Sequence, residues 1–469
     1  MDFLTDSVID LARSVRAGEL SARDLVGHAL TTIDRLNPSI GAFLALDPET
    51  AMAEAAALDQ RQARGDDVGP LAGIPLGVKD LEDAAGLPTS NGSVAMPGAE
   101  RATVDSVLVA RLRRAGAIVV GKTNTPEHGW TAQTFNARFE TTRNPWNVSR
   151  TPGGSSGGSA AAIASGMVPL ATGSDGGGSL RIPSALCGLS GFKPSIGRVP
   201  GGGPQWPGWP HLSCKGPMAW RTRDLVAALD AVVGPEPTDL RSLPSPVSPW
   251  LESVGPVGTV PAPTRIVWSP TLGYASVDSE ILDICRRAIE RLAGLGATVE
   301  ERADIFPTDP ARAWLTQVTA YDVRTFESIR DTAAWQTVTP ELRDQIEALE
   351  RHLTVAGLVR AIDAAHVFNL RLVEVFAHAD LLITPTVGGQ TPVCGRPGTI
   401  DGVEDPRWVS FTYPFNMTGS PAGTVCVGRT ADGMPVGLQL IGPQHGDVSV
   451  LVAMAALEDA IGFDDRPVL

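Results

Sequence analysis

Tyrosine and cysteine are scarce in this chain, with three tyrosines and five cysteines among 469 residues. The cysteines, at 187, 214, 285, 394 and 426, are odd in number, scattered and never spaced as CxxC. That excludes a disulfide framework and offers no zinc-binding pattern; Cys187 and Cys426 fall in apolar runs and read as core residues. No stretch reaches the ~18 apolar residues of a membrane span, and the acidic start MDFLTDSVIDLARS lacks the basic-then-apolar build of a signal peptide. A cytoplasmic protein is therefore expected. A formal net charge of −14 argues against nucleic acid or an anionic membrane as the main partner. The seven histidines, at 28, 128, 211, 352, 366, 378 and 445, have no motif context for a catalytic base. No GxGxxG fingerprint with its downstream acid is present.

Glycine and serine, in contrast, are concentrated in two knots, GGSSGGS at 153–159 and GSDGGGSLRIPS at 173–184. Glycine suits a backbone that must take positive φ or let another group approach its amides. A flexible linker would share this composition, but SAAAIASGMVPLATG at 159–173 reads as a buried helix followed by a short strand, which places both knots inside a packed core. Upstream, GIPLGVKD at 73–80 ends an apolar run on Lys79, followed by Asp80. Alone, such a lysine reads as a solvated strand end or an ion-pair partner. Beside two serine knots it points to a Ser–Lys arrangement, an alternative to Ser–His–Asp for activating a serine.

These residues resemble the amidase signature enzymes, which hydrolyse amides through a Ser–cisSer–Lys triad. GIPLGVKD, AGAIVVGKTNTPEHG at 115–129, TRNPWN at 142–147, GFKPSIGRVP at 191–200, GPMA at 216–219 and GMPVGLQLIGP at 433–443 follow as family landmarks in family order. The resemblance implies Ser179 as nucleophile, Ser155 as the cis-serine that relays the proton and Lys79 as base. It also implies an oxyanion loop of Gly176, Gly177 and Gly178 with the Ser179 amide, supported by Ser156, Ser174, Asp175 and Arg181. Thr151 and Ser159 read as capping or turn residues. At its reference pKa a lysine is neutral in about one molecule in two thousand at pH 7, so a base role needs burial to lower it by roughly three units. Asp80 would oppose that if it faced the site. Gly176 departs from the family, where threonine or isoleucine is common. The fold implied is α/β: one large domain over 1–469, with a mixed twisted β-sheet flanked by helices on both faces. Its parts are a signature core at 70–230, a variable substrate-shaping segment at 234–380 and a C-terminal portion of the same sheet at 381–469.

Substrate choice is less clearly written. Ten tryptophans are present, three of them in QWPGWPHLSCKGPMAW at 205–220. They either pack a proline-rich loop or wall an apolar pocket. Candidate lining residues are Trp130, His128, Trp206, Trp209, His211, Trp220, Trp314 and Tyr321. An aromatic pocket favours aryl or alkyl amides and anilides, with carbamates and esters open to the same chemistry; water is the second substrate, and no cofactor or metal is implied. A homodimer is compatible with the resemblance. The rival is the glutaminase component of a tRNA-dependent amidotransferase, which typically carries glutamine before the proline where this chain has Ile182. Helices are expected at about 6–16, 21–36 (closed by Asn37-Pro38), 50–64 and 105–115, and a strand at 117–122. A Pro-rich extended loop is expected at 234–263, a hairpin over 424–429 and 435–441 around Asp432-Gly433, and a helix at about 447–461.

Overall fold

Short apolar runs alternating with amphipathic segments build a mixed α/β architecture. The computed structural model describes residues 1–95, 100–204, 207–259 and 265–468. Their strands are β1 (Phe43–Leu46), β2 (Pro75–Lys79), β3 (Ile118–Thr123), β4 (Leu170–Asp175), β5 (Gly191–Lys193), β6 (Cys214–Ala219), β7 (Arg265–Trp268), β8 (Thr298–Glu301), β9 (Leu381–Pro385), β10 (Thr399–Ile400), β11 (Val403–Glu404), β12 (Ala422–Arg429) and β13 (Pro435–Ile441).

Five strands form a sheet in the order β1-β3-β2-β4-β6. β3, β2 and β4 run parallel, and β1 and β6 close the edges antiparallel. Every residue of β2 and β3 is buried, as expected of parallel strands covered on both faces. A six-stranded sheet, β5-β12-β13-β9-β7-β8, is antiparallel as far as β9 and parallel beyond it. The two meet where Ser190, just before β5, bridges Ala219 at the end of β6. Pro194 lacks the next ladder donor, and β5 stops after three residues. The expected mixed sheet is thus realised as two hydrogen-bonded parts joined at this seam, with β10 and β11 as a separate hairpin.

Local chemistry explains where elements start and stop. Ser21 caps the helix Ala22–Ile40 by accepting from the Asp24 amide. This helix runs past Asn37-Pro38, where closure was expected, and ends at Gly41, whose amide reaches Asn37 O at 2.7 Å. The helices Pro48–Ala63 and Val107–Arg114 lie close to their expected spans. So do the β12–β13 hairpin and the helix Asp447–Ile461. The Pro-rich stretch is not wholly extended, because Trp250–Val254 forms one helical turn whose first amides, Trp250 and Leu251, donate to Asp230 at 2.7 and 2.9 Å. Residues 260–263 of that stretch lie outside the described residues. The helices Gly157–Ala164 and Arg181–Cys187 are buried along their whole length, so both serine-glycine knots do sit in the core. No single helix among the described residues is long and apolar enough to cross a membrane; the pair Pro340–Glu350 and Val355–Phe376, bent by 103°, passes that test only when taken together.

Candidate active site

β2 ends on Lys79, and β4, its parallel neighbour, ends on Asp175, so the first residues beyond both strands emerge at one edge of the sheet. The Lys79 amide donates to Thr172 Oγ1 at 2.9 Å, which fixes the strand end against β4. The Lys79 side chain is fully buried, and its Nζ lies 2.8 Å from Ser155 Oγ, 2.9 Å from Ser156 Oγ and 3.0 Å from Ser174 Oγ. The Gly154–Ser155 peptide bond is cis. Burial lowers the Lys79 ammonium from 10.5 to about 7, against the raising influence of Glu82 and Asp175. A neutral amine has two N–H donors and one lone pair. Three hydroxyls around Nζ can use all three, so one serine can give its proton to the lysine.

Asp80 does not oppose this arrangement, because it turns to the 90–92 loop. It accepts from the Ser90 amide and hydroxyl and from the Gly92 amide, and pairs with Lys122 Nζ at 3.3 Å.

Asp175 and Arg181 form a buried bidentate pair, with Nη2–Oδ1 at 2.8 Å and Nε–Oδ2 at 2.9 Å. Burial alone would raise the Asp175 carboxyl, but the Arg181 charge and hydrogen bonds, helped by Asn416 and Lys193, hold it at about 2. Arg181 also donates to Thr412 O, Gln439 Oε1 and Asn416 Oδ1, and Asn416 Nδ2 returns to Asp175 O at 2.8 Å. This network clamps both ends of the 176–180 loop. Thr412, Asn416 and Gln439 were not singled out from the sequence. The signal for Gln439 was a lone polar residue inside the strand VGLQLIG; Asn416 carried none beyond its place in an apolar run.

Among the glycines, Gly178 differs from the expected set. Its amide donates to Asp175 Oδ1 at 2.7 Å and so is not available to a ligand. The amides of Gly176, Gly177 and Ser179 have no acceptor among the described residues. Ser179 is partly exposed, whereas Ser155 and Ser156 are buried, and its Oγ likewise has no hydrogen-bond partner among the described residues. Ser156 links the two knots, accepting from the Ser174 amide at 3.3 Å. Ser159 is not a cap. It lies inside its helix and donates to Thr172 O at 2.7 Å. Thr151 makes the expected turn contact, accepting from the Gly153 amide.

The aromatic candidates divide. Trp209 lies against Gly176 and Trp314 against Gly177; Trp314 also donates Nε1–H to Gly176 O at 2.9 Å and stacks on Tyr413. His128 and Trp130 flank Gly129, which abuts Ser155 Oγ. His128 Nε2 and Trp130 Nε1 are both buried without a hydrogen-bond partner among the described residues, and burial lowers His128 to about 4, so its imidazole is neutral near pH 7. Burial raises the Tyr321 hydroxyl, and the His211 backbone works to lower it. His211 lines a separate cavity of about 280 Å³ with Gln317, Ile362 and Met417. Trp220 does not line the site. In the β4–β6 register Asp175 pairs with Cys214 and Leu170 with Ala219, so Trp220 lies at the far end of the sheet, under Arg466. Trp206 lies outside the described residues. No group of three or more His, Cys, Asp or Glu suited to a metal occurs among the described residues.

The family model for amidases matches residues 24–451. The chain belongs to the amidase signature family. This amidase is 35% identical over 474 residues to an acylamidase of Rhodococcus erythropolis, covering 98% of this chain and 96% of that one. It is also 35% identical over 476 residues to the A component of the glutamyl-tRNA(Gln) amidotransferase of Chloroflexus aggregans, covering 96% and 95%. Its fold matches a bacterial aryl acylamidase of the amidase signature family with a TM-score of 0.90 at 29% identity, covering 97% and 96%. A 6-aminohexanoate cyclic dimer hydrolase in complex with substrate gives 0.88 at 29% identity, covering 100% and 99%. The amidase is thus a hydrolase of amide C–N bonds.

Proposed function

We propose that the amidase acts alone on aryl and alkyl amides and anilides, and accepts carbamates and esters, through a serine acyl-enzyme. Ser179 Oγ attacks the substrate carbonyl as its proton passes to Ser155 and the Ser155 proton passes to the lone pair of neutral Lys79. The developing oxyanion is met by the amides of Gly176, Gly177 and Ser179; one such donor is worth roughly 2.7–4 kcal/mol. Collapse breaks the C–N bond, and the proton held by Lys79 returns through Ser155 to the departing amine. Water then follows the same path in reverse order of partners and releases the acid.

The observation that carries this reading is the buried Lys79 amine 2.8 Å from Ser155 Oγ, with its ammonium lowered to about 7. The 35% identity to an acylamidase supports the acyl-amide substrate class, and the indoles of Trp209 and Trp314 beside the loop support an apolar, aromatic one. A cytoplasmic setting is part of the proposal. Hydrolysis by purified protein of glutamine, a short aliphatic amide, a nitroanilide, an aryl carbamate and a nitrophenyl ester, each beside Ser179→Ala, tests it. Turnover of the aromatic amide without glutamine is expected.

A second reading is the glutaminase component of an amidotransferase. The similarity to the Chloroflexus amidotransferase chain favours it, while Ile182 before Pro183 favours the free enzyme. Turnover of glutamine alone would bring the second reading forward.

A further inference from the structure

One helix of the middle segment, Ala311–Phe326, reaches three sides of the site. Trp314, near its start, lies on Gly177 and binds Gly176 O. Asp322, two turns further along the same face, is buried, and the Trp209 side chain acts to lower its carboxyl against the raising effect of burial. Arg324 donates to Pro207 O and Gly208 O at 2.9 and 2.7 Å, which ties down the loop that carries Trp209. Phe326 ends the helix edge-on to His128, with ring centroids 4.9 Å apart.

The space above the glycine loop is already filled. A Cβ placed on Gly176 would come within 2.6 Å of Trp209 Cε3, and one on Gly177 within 2.5 Å of Trp314 Cζ2. Both lie far inside the roughly 3.5–4.0 Å of comfortable carbon contact. This chain has glycine at 176, and an indole delivered from another loop occupies the room of its side chain. The two glycines whose amides lack an internal acceptor are the two that the indoles touch. A carbonyl oxygen bound by those amides would leave its substituents within van der Waals reach of the rings.

We propose that Trp209 is a specificity-determining residue, whose ring stands in the room of a residue-176 side chain and limits the bulk next to the reactive carbonyl, and that Asp322 is the positioning residue that holds it there. The inference rests on the reading of residues 176–179 as the carbonyl-binding loop. Slender or planar acyl groups pass between the indoles, and branched ones do not. Burial raises the Asp322 carboxyl to about 7, and asparagine at 322 retains an amide oxygen that can accept from the Trp209 indole.

The test measures kcat and KM of the full chain on p-nitroanilides and p-nitrophenyl esters with acetyl, butyryl, benzoyl and pivaloyl groups, for wild type, Trp209→Ala, Asp322→Leu, Asp322→Asn, Gly176→Thr and the Gly176→Thr/Trp209→Ala pair. Trp209→Ala is expected to raise the pivaloyl-to-acetyl ratio of kcat/KM at least tenfold. Asp322→Leu should move it in the same direction, and Asp322→Asn should keep the wild-type ratio. Gly176→Thr should lower both Tm and activity in wild type and much less once Trp209 is removed. An active wild type whose acyl-group ratios are unchanged by Trp209→Ala, or whose Gly176→Thr losses are the same in both backgrounds, overturns this inference alone. A wild type inert toward every compound overturns the catalytic reading and this inference with it.

Discussion

A negative charge placed beside Lys79 tests the proposed chemistry through a single group. Ser174 Oγ lies 3.0 Å from Lys79 Nζ, so Ser174→Asp brings a carboxylate into the same contact. In the native site the ammonium has fallen from 10.5 to about 7, which leaves about half the lysines neutral at pH 7 instead of about one in three thousand, a difference of about 5 kcal/mol. An opposite charge at this range favours the charged form by about 1–3 units. The rising limb of the pH–rate profile should therefore move from near pH 7 to about 8–10. At pH 7 kcat/KM should fall about 5- to 500-fold and recover at high pH. Ser174→Asn, of similar shape and no charge, should leave the limb near its native position. Initial rates on a nitroanilide from pH 5.5 to 10.5, corrected with Ser179→Ala, give both profiles. The reasoning is refuted if the aspartate variant keeps the wild-type midpoint, or if wild type is flat from pH 6 to 10.

Ser179→Ala should leave less than about a hundredth of the activity with the fold intact, read by turnover and circular dichroism. The Lys79 pKa is lower folded than unfolded, so between pH 7 and 10.5 the unfolded chain binds more protons and stability grows as pH rises. Urea titrations should show wild type gaining on Lys79→Met over this range, and a gap constant with pH would contradict the shift. Asp175→Asn removes one partner of a buried ion pair and should cost about 3–5 kcal/mol in the same titrations. Trp220→Phe should lower stability by roughly 1 kcal/mol without changing the relative rates across the acyl panel; an altered ratio would return that residue to the substrate site.

What the sequence revealed and what it hid follow from how local each feature is. The serine knots, Lys79 and the Asp175–Arg181 pair lie in short glycine-rich runs whose composition has few other uses, and the structure places them at one sheet edge. The hairpin at Asp432-Gly433 and the cap at Ser21 are equally local. Trp220 was misplaced because proximity in sequence to Trp209 says nothing about which end of a six-residue strand each occupies. Gly178 looked interchangeable with its neighbours, and only the position of Asp175 shows that its amide is taken. Thr412, Asn416 and Asp322 reach the site from more than a hundred residues away in the chain. Their role is fixed by tertiary packing that no local pattern encodes.

The placement of Trp314 and Asp322 on one helix has an evolutionary consequence. On the proposed mechanism the reacting groups come from residues 79–179, whereas the wall placed above them comes from residues 207–209 and 311–326. Mutations in the wall can therefore redraw the range of accepted molecules while the reaction itself is inherited unchanged. Exchange of that helix and loop together, as one cassette, is the natural route by which such a chain would acquire a new diet.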